Sequence, residues 1–320
     1  MRGLQGKAFI VAGGATGIGA GTAERLAGEG ASVTIGDINI AGAKATVERI
    51  TDAGGRAIAI EFDLADDRSV DELVAATITE FGAVHGLHNV GADLSDNTLG
   101  RDKTLLDTDF EVWHRTLDVN LLGYVRTTRA ILPHLLDQGG GSIVNTSSGG
   151  SLGAVNQLTR HVANNWGAQG IRCNGVMPGL VMGETQKRQN DELMQQMFVK
   201  AARVTRLGEP RDLAAITAFL LSDEAEWING QVWYIGGASH MRQYRQPRAQ
   251  HSPSDRKMPY FVGVSCEDTV ARAIGFGPSS PRGSPAQAIR QRSAHCHGRS
   301  GECRTRTEWP RRTPARRASG

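Results

Sequence analysis

The sequence is poor in aromatic residues and in long apolar runs. Phe, Trp and Tyr make up 5% of the 320 residues, and no run approaches the roughly 20 apolar residues of a membrane-spanning helix. Residues 1–14 lack the apolar stretch and small-residue cleavage site of a secretory signal peptide. We therefore expect a cytoplasmic protein with a globular core, which 39% hydrophobic residues suffice to form.

Cysteines are few, and their spacing matches neither a disulfide framework nor a zinc pattern. The four are Cys173, Cys266, Cys296 and Cys303. The sequence His295-Cys296-His297 could hold a metal ion together with Cys303, but no second ligand pair follows at zinc-finger spacing. We therefore predict no metal site.

Acidic residues are scarce in the last quarter of the chain. Residues 241–320 hold fifteen arginines and one lysine against five acidic residues, although the whole chain carries a formal net charge of only +3. This Arg, Ser, Pro and Gly composition cannot bury enough apolar surface to fold, so we predict a domain at 1–240 and a disordered tail at 241–320. Lysine and interleaved aromatics are rare in the tail. Its composition is therefore more typical of the translation of GC-rich DNA in the wrong reading frame than of a nucleic-acid-binding arm. We do not expect nucleic acid as a partner.

Up to about residue 237, short apolar runs alternate with stretches of helical period. The runs predict strands at 7–12, 31–36, 56–61, 85–90, 142–147, 171–176 and 230–235. Nearly continuous apolar runs are typical of parallel strands covered on both faces. The helical stretches include 17–30, 41–54, 69–82 and a long one at 108–136. The pattern predicts an α/β fold: a doubly wound, Rossmann-like parallel sheet of about seven strands, with a ligand crevice at the strands' carboxyl ends.

The first predicted strand runs into a glycine-rich turn and a helix. Gly13, Gly17 and Gly19 stand at this turn, where glycines allow a tight bend and let the helix amides approach a pyrophosphate. The spacing by itself is a weak motif, but its position between a strand and a helix favours a dinucleotide site over a merely glycine-rich turn.

Asp37 follows directly after the second predicted strand. A carboxylate there can accept hydrogen bonds from a ribose 2′-hydroxyl and would repel a 2′-phosphate, so NAD(H) is favoured over NADP(H). Alternatively, Asp37 caps the helix that follows.

Further motifs follow in order along the chain: "FDLADD" at 62–67, "HNVG" at 88–91, "DVNLLGYV" at 118–125, "GSIVNTSS" at 141–148, "RCNGVMPGLV" at 172–181 and the segment 206–237. Together with the glycine loop, these motifs resemble the short-chain dehydrogenase/reductase family over residues 5–240. Departures include Ala12 and Gly183, where that family usually has threonine. The resemblance implies that the cofactor is bound by Gly13, Gly17, Ile18, Gly19, Asp37, Asp63, Leu64, Asn89, Gly91, Pro178, Gly179 and Val181.

The resemblance also implies a catalytic group of four residues. In that family a serine orients the substrate oxygen, an asparagine holds a water in the proton path, and a tyrosine exchanges the proton with help from a lysine four residues later. Ser148 and Asn120 match the serine and the asparagine. The tyrosine and the lysine are missing, because about a dozen residues of the family's pattern have no counterpart between Gly153 and Ala154.

No other position restores the missing pair. The four tyrosines all lack a lysine four residues later; they are Tyr124, Tyr234, Tyr244 and Tyr260. His161 lies 13 residues after Ser148 and could serve as an acid or base near neutral pH, but its surroundings match the middle of a family helix. We interpret His161 as a histidine on the helix surface.

The sequence thus favours an NAD-dependent oxidoreductase that acts on a small-molecule alcohol or ketone by hydride transfer, with impaired activity in this chain. The alternative is a non-catalytic NAD-binding protein. The segment 184–205 would cover the substrate, and its apolar side chains fit a pocket lining and an amphipathic helix equally well. By resemblance, we expect a homo-oligomer paired through the helices at 108–136 and 154–169.

Overall fold

The computed structural model describes residues 1–95, 97–98, 101, 104–148, 153–183, 195–196, 199 and 204–237. Most of the predicted substrate segment 184–205, the predicted boundary at residue 240 and the whole tail lie outside these residues. The described residues all belong to one unit of the chain, Met1–Glu267.

Seven strands form one parallel sheet in the order β3-β2-β1-β4-β5-β6-β7. The strands are β1 (Ala8–Ala12), β2 (Ser32–Asp37), β3 (Arg56–Glu61), β4 (Gly86–Asn89), β5 (Gly141–Thr146), β6 (Ile171–Pro178) and β7 (Val232–Ile235). This order reverses direction at β1, between β2 and β4. The predicted doubly wound, Rossmann-like α/β fold is confirmed, and the ligand crevice is expected at this reversal.

Helices cover both faces of the sheet. They are α1 (Gly17–Gly28), α2 (Ile40–Asp52), α3 (Asp67–Phe81), α4 (Phe110–Leu117), α5 (Gly123–Asp137), α6 (Ala154–Trp166) and α7 (Pro210–Leu221). One buried cluster joins α1, α2 and α7 to the sheet, and a second joins α3, α5 and α6 to the other face. Along β1, Phe9 and Val11 belong to the first cluster, whereas Ile10 and Ala12 belong to the second, because successive side chains of a strand alternate between faces.

The long helix predicted at 108–136 is interrupted. A π-helical turn, Asp118–Leu122, separates α4 from α5, and Asn120 is its central residue. Such turns widen the helix by one residue and are frequent at functional sites. Regular helical spacing could not reveal this turn.

Candidate functional site

The glycine loop between β1 and α1 is packed so tightly that side chains are excluded. A Cβ atom on Gly13, whose φ is 103°, would lie 2.3 Å from the backbone nitrogen of Gly91. A Cβ atom on Gly19 would lie 1.9 Å from the carbonyl oxygen of Gly13. Gly17 also has a positive φ, 55°. The backbone therefore brings the first turn of α1, with its free amides and positive dipole end, to the edge of the crevice.

The Asp37 carboxylate lies at the end of β2, next to this loop. Its Oδ2 atom accepts a hydrogen bond from the backbone nitrogen of Ala15 at 2.9 Å, and Oδ1 accepts one from Asn39 at 2.9 Å. The cap of α2 is Asn39, whose side chain accepts from the nitrogen of Gly42. The alternative interpretation of Asp37 as the helix cap is therefore wrong, and its carboxylate instead ties the glycine loop to the end of β2.

Asp63 and Leu64 follow β3 at the same edge of the sheet as the glycine loop. The Asp63 carboxylate accepts a hydrogen bond from the nitrogen of Ala65 at 2.8 Å, and Leu64 is buried. Leu64 also closes the space beside Gly91, where an added Cβ atom would lie 2.8 Å from its Cδ1 atom.

A cleft of about 690 Å³ brings these residues together at the carboxyl ends of the strands. Nine of the twelve predicted cofactor-binding residues line it: Gly13, Gly17, Ile18, Gly19, Asp37, Asp63, Leu64, Gly91 and Val181. Its volume is in the range of small-molecule and cofactor sites. The glycine cradle and the Asp37 carboxylate fit the pyrophosphate and the ribose of a dinucleotide.

The other three predicted cofactor residues lie outside this lining. Asn89 is fully buried, donating a hydrogen bond to the Asn145 side chain at 3.0 Å and accepting one from the Thr127 hydroxyl at 2.8 Å. It thereby joins β4, β5 and α5 beneath the cleft. Pro178 ends β6, and Gly179 follows it and donates its backbone N–H to the carbonyl of Ile235 at 2.9 Å.

The two predicted catalytic residues are placed by different elements. Ser148 lies just after β5 and is exposed, whereas Ser147 beside it is buried, with no hydrogen-bond partner for its hydroxyl within the described ranges. Asn120 uses its side-chain oxygen to accept from the backbone nitrogen of Asp93 at 2.8 Å. Residues 149–152, which lead to α6, lie outside the described residues, and α6 begins at Ala154, next to the predicted gap.

Neither nearby histidine is suited to act as a proton donor in the cleft. His88 is fully buried on β4, where burial lowers its pKa to about 3, so the ring is neutral at pH 7. One ring nitrogen, Nε2, pairs with the Thr146 hydroxyl at 2.9 Å. His161 lies on the exposed side of α6, beside Asn165 and Trp166, as predicted for a histidine on the helix surface.

Sequence reasoning missed the wall of the cleft formed by residues 92–95, Asn97 and Arg115 of α4. Asp93 accepts a hydrogen bond from the Arg115 guanidinium at 2.6 Å, and both residues line the cleft. Burial acts to raise the pKa of Asp93, but hydrogen bonds from Ser95 and from Arg115 outweigh it and lower the pKa to about 2. The only available signal was the position of Asp93 two residues after Gly91, and no local pattern pairs it with Arg115.

Comparisons with known proteins agree with this architecture. The model of the enoyl-(acyl carrier protein) reductase family matches residues 13–240 of the chain. A probable short-chain type dehydrogenase/reductase of Bradyrhizobium diazoefficiens is 35% identical over 256 residues, covering 75% of this chain and 90% of the relative. The chain belongs to the short-chain dehydrogenase/reductase family.

Two further relatives are hydroxysteroid dehydrogenases. The 7alpha-hydroxysteroid dehydrogenase of Bacteroides fragilis is 30% identical over 251 residues, covering 74% of this chain and 95% of the relative. A solved structure of a 7alpha-hydroxysteroid dehydrogenase complexed with NADH and 7-oxo glycochenodeoxycholic acid superposes with a TM-score of 0.66 and 27% identity. That match covers 73% of this chain and 94% of the other. The predicted family is confirmed, and with it an oxidoreductase ancestry.

Within the described part of the chain, no helix is both long and apolar enough to span a membrane. Over the same residues, no three His, Cys, Asp or Glu side chains are grouped so as to hold a metal ion. The sequence His295-Cys296-His297 lies outside them.

Proposed function

We propose that this chain binds NAD(H) in the cleft and descends from a dehydrogenase that acts on a small-molecule alcohol or ketone, with hydride transfer now impaired. The observations that carry the proposal are a cleft lined by a glycine cradle and the Asp37 carboxylate, and a helix α6 that begins only six residues after Ser148. Bound NAD would accept or donate the hydride. The glycine loop would hold its pyrophosphate, and Asp63 with Leu64 its adenine.

The impairment follows from the residues that would handle the proton. A phenol has an ordinary pKa of about 10, so the family's lysine is needed to make it useful near neutral pH. The segment between Ser148 and Ala154 reads Gly-Gly-Ser-Leu-Gly and contains neither residue. Ser148 could still orient a substrate oxygen. No residue of the Gly-Gly-Ser-Leu-Gly segment, however, could exchange a proton with that oxygen near neutral pH.

The alignment with the Bradyrhizobium relative supports a gap. It runs over 256 residues, whereas 75% of this 320-residue chain is only about 240 residues. The relative therefore carries residues for which this chain has no counterpart. The Tyr-x-x-x-Lys segment after Gly153 is our proposal for most of them.

We expect NADH binding with little or no turnover. NADH would be titrated by fluorescence, and absorbance at the reduced nicotinamide band would be followed with a panel of cyclic and steroid secondary alcohols and ketones. Binding without hydride transfer would favour the alternative function, a non-catalytic NAD-binding protein. Turnover of any member of the panel would rule that alternative out, and no NADH binding would contradict both functions.

The Asp37→Asn variant should bind NADH at least about tenfold more weakly and NADPH more tightly than the wild type. Asparagine keeps an acceptor oxygen for only one of the backbone nitrogens of Ala15 and Asn39, and it removes the charge that repels a 2′-phosphate. Kd values for both dinucleotides measure the change. The control is Asp52→Asn at the far end of α2, which should bind both dinucleotides like the wild type. If Asp37→Asn and the wild type had the same ratio of NADH to NADPH affinity, the assignment of Asp37 to the ribose would be contradicted.

We also propose that the chain forms homo-oligomers through α4, α5 and α6. Phe110, Trp113 and Leu117 lie at positions i, i+3 and i+7 of α4, and they are 81%, 44% and 46% exposed. An exposed apolar stripe of this kind favours burial against another chain. Sedimentation of the full chain tests this pairing.

The family match ends at residue 240, which supports our proposal that the NAD-binding domain spans 1–240 and that 241–320 is a separate segment.

A further inference from the structure

We infer that Arg126 on α5 is a positioning residue for the adenine end of the cofactor site. Its guanidinium joins the loop after β3, which carries Asp63 and Leu64, to the π-helical turn that carries Asn120. The inference rests on the proposed binding of NAD, and it assigns a role to a side chain that does not itself line the cleft.

One hydrogen bond of Arg126 holds the loop after β3, the proposed adenine-binding loop. Nη1 donates to the carbonyl oxygen of Leu64 at 3.2 Å. That carbonyl belongs to the same peptide group as the nitrogen of Ala65, which donates to Oδ1 of Asp63 at 2.8 Å. Because a peptide group is planar and rigid, fixing its oxygen also fixes its N–H. Arg126 thereby restricts the orientation of the Asp63 carboxylate through a single peptide plane.

Two further hydrogen bonds of Arg126 hold the π-helical turn. Nη1 donates to the carbonyl oxygen of Asp118 at 3.0 Å, and Nη2 donates to its Oδ1 atom at 2.6 Å. The next residue, Val119, lines the cleft and packs in the same buried cluster as Leu64. The loop and the turn therefore meet at one side chain, behind the wall of the adenine end.

The third contact of Arg126 is peripheral. Nε lies 2.9 Å from Oδ1 of Asp67, whose side chain is 85% exposed, so this ion pair contributes little. Arg126 itself is 21% exposed. The hydrogen bond to Asp118 raises its pKa further, and the guanidinium stays charged at any working pH.

Only a planar fork can make these contacts together. Arginine presents five N–H groups in a fixed plane, whereas lysine offers a single ammonium centre that cannot reach the Leu64 and Asp118 oxygens in the same geometry. Arg126→Lys should therefore keep the charge while losing the geometry. Arg126→Met removes both and retains most of the side-chain volume.

The experiment compares AMP and NADH binding by the full chain and three variants. We expect Arg126→Met to weaken both ligands by the same factor, about tenfold, because both share the adenine end. Arg126→Lys should lie in between. Asp67→Asn, which removes only the exposed contact, should bind like the wild type. Circular dichroism and Tm give the folded fraction of each variant, so that lost binding is not confused with unfolding.

The outcomes separate the inference from the proposed function. A wild-type chain that binds no NADH would overturn both. A wild-type chain that binds NADH, together with a folded Arg126→Met variant that binds AMP equally well, would overturn the role of Arg126 alone. So would a loss confined to NADH, because the effect would then not arise at the adenine end. If Arg126→Met does not fold, wild-type AMP affinity in Arg126→Lys would overturn the inference, and weakened AMP binding would support it.

Discussion

Insertion of a family-like segment carrying Tyr-x-x-x-Lys after Gly153 is expected to raise the rate of hydride transfer by orders of magnitude. A positioned proton donor contributes about 10²–10⁴-fold to such a reaction, and Ser148 already lies just after β5. The inserted residues would extend α6 from its present first residue, Ala154, towards the carboxyl ends of the strands. The rate would be measured by absorbance with the alcohol or ketone panel.

The matched control carries the same insertion with phenylalanine in place of the tyrosine. It restores the length of the helix and the wall of the pocket without restoring the hydroxyl, so its rate should stay near that of the present chain. If the tyrosine insertion binds NADH and yet gains no rate, the cleft has lost more than its proton donor. Equal rates in both insertions would assign any gain to the restored wall.

Replacement of Gly19 by alanine should abolish measurable NADH binding and strongly destabilise the fold. The added Cβ atom would lie 1.9 Å from the carbonyl oxygen of Gly13, a distance that real structures do not tolerate. The loop would have to move away from α1, which removes the close backbone approach that a pyrophosphate requires. NADH titration and a thermal melt measure the two effects separately.

Gly28→Ala is the control in the same helix. It lies at the last position of α1, with no atom within 4 Å of an added Cβ among those described and without a positive φ. Alanine there should leave NADH binding unchanged and stabilise the fold by about 0.4–1 kcal/mol, because it restricts the unfolded chain. Wild-type NADH affinity in Gly19→Ala would disprove the assignment of the loop.

The strands were predictable because each is a short, nearly continuous apolar run. Residues 56–61 and 171–176 were predicted as strands, and the structure has strands at Arg56–Glu61 and Ile171–Pro178. Both faces of a parallel sheet are buried, so apolar composition alone marks such strands. The break between α4 and α5 was hidden from periodicity, since one extra residue at Asn120 barely changes the apolar spacing.

The candidate site was predictable where function requires a particular residue type at a particular turn. Gly13 and Gly19 belong to this class because the turn geometry requires glycine, and Asp37 belongs to it because the ribose of the proposed NAD would require a carboxylate. The pairs Asp93–Arg115 and Arg126–Leu64 could not be predicted in this way. Within its own segment of the sequence, each of these four residues is of an ordinary type. Their significance depends on a partner 22 or 62 positions away in the chain.

The sequence by itself determined the fold class, the glycine loop, the carboxylate at Asp37 and the lack of a tyrosine with a lysine four residues later. These features are local, so composition and spacing are enough to define them. Only the tertiary structure decided that Asn89 lies beneath the cleft, that His88 is buried and neutral, and that Arg126 joins the loop after β3 to the π-helical turn. Burial and long-range hydrogen bonds arise from packing between elements distant in sequence, and no local pattern encodes them.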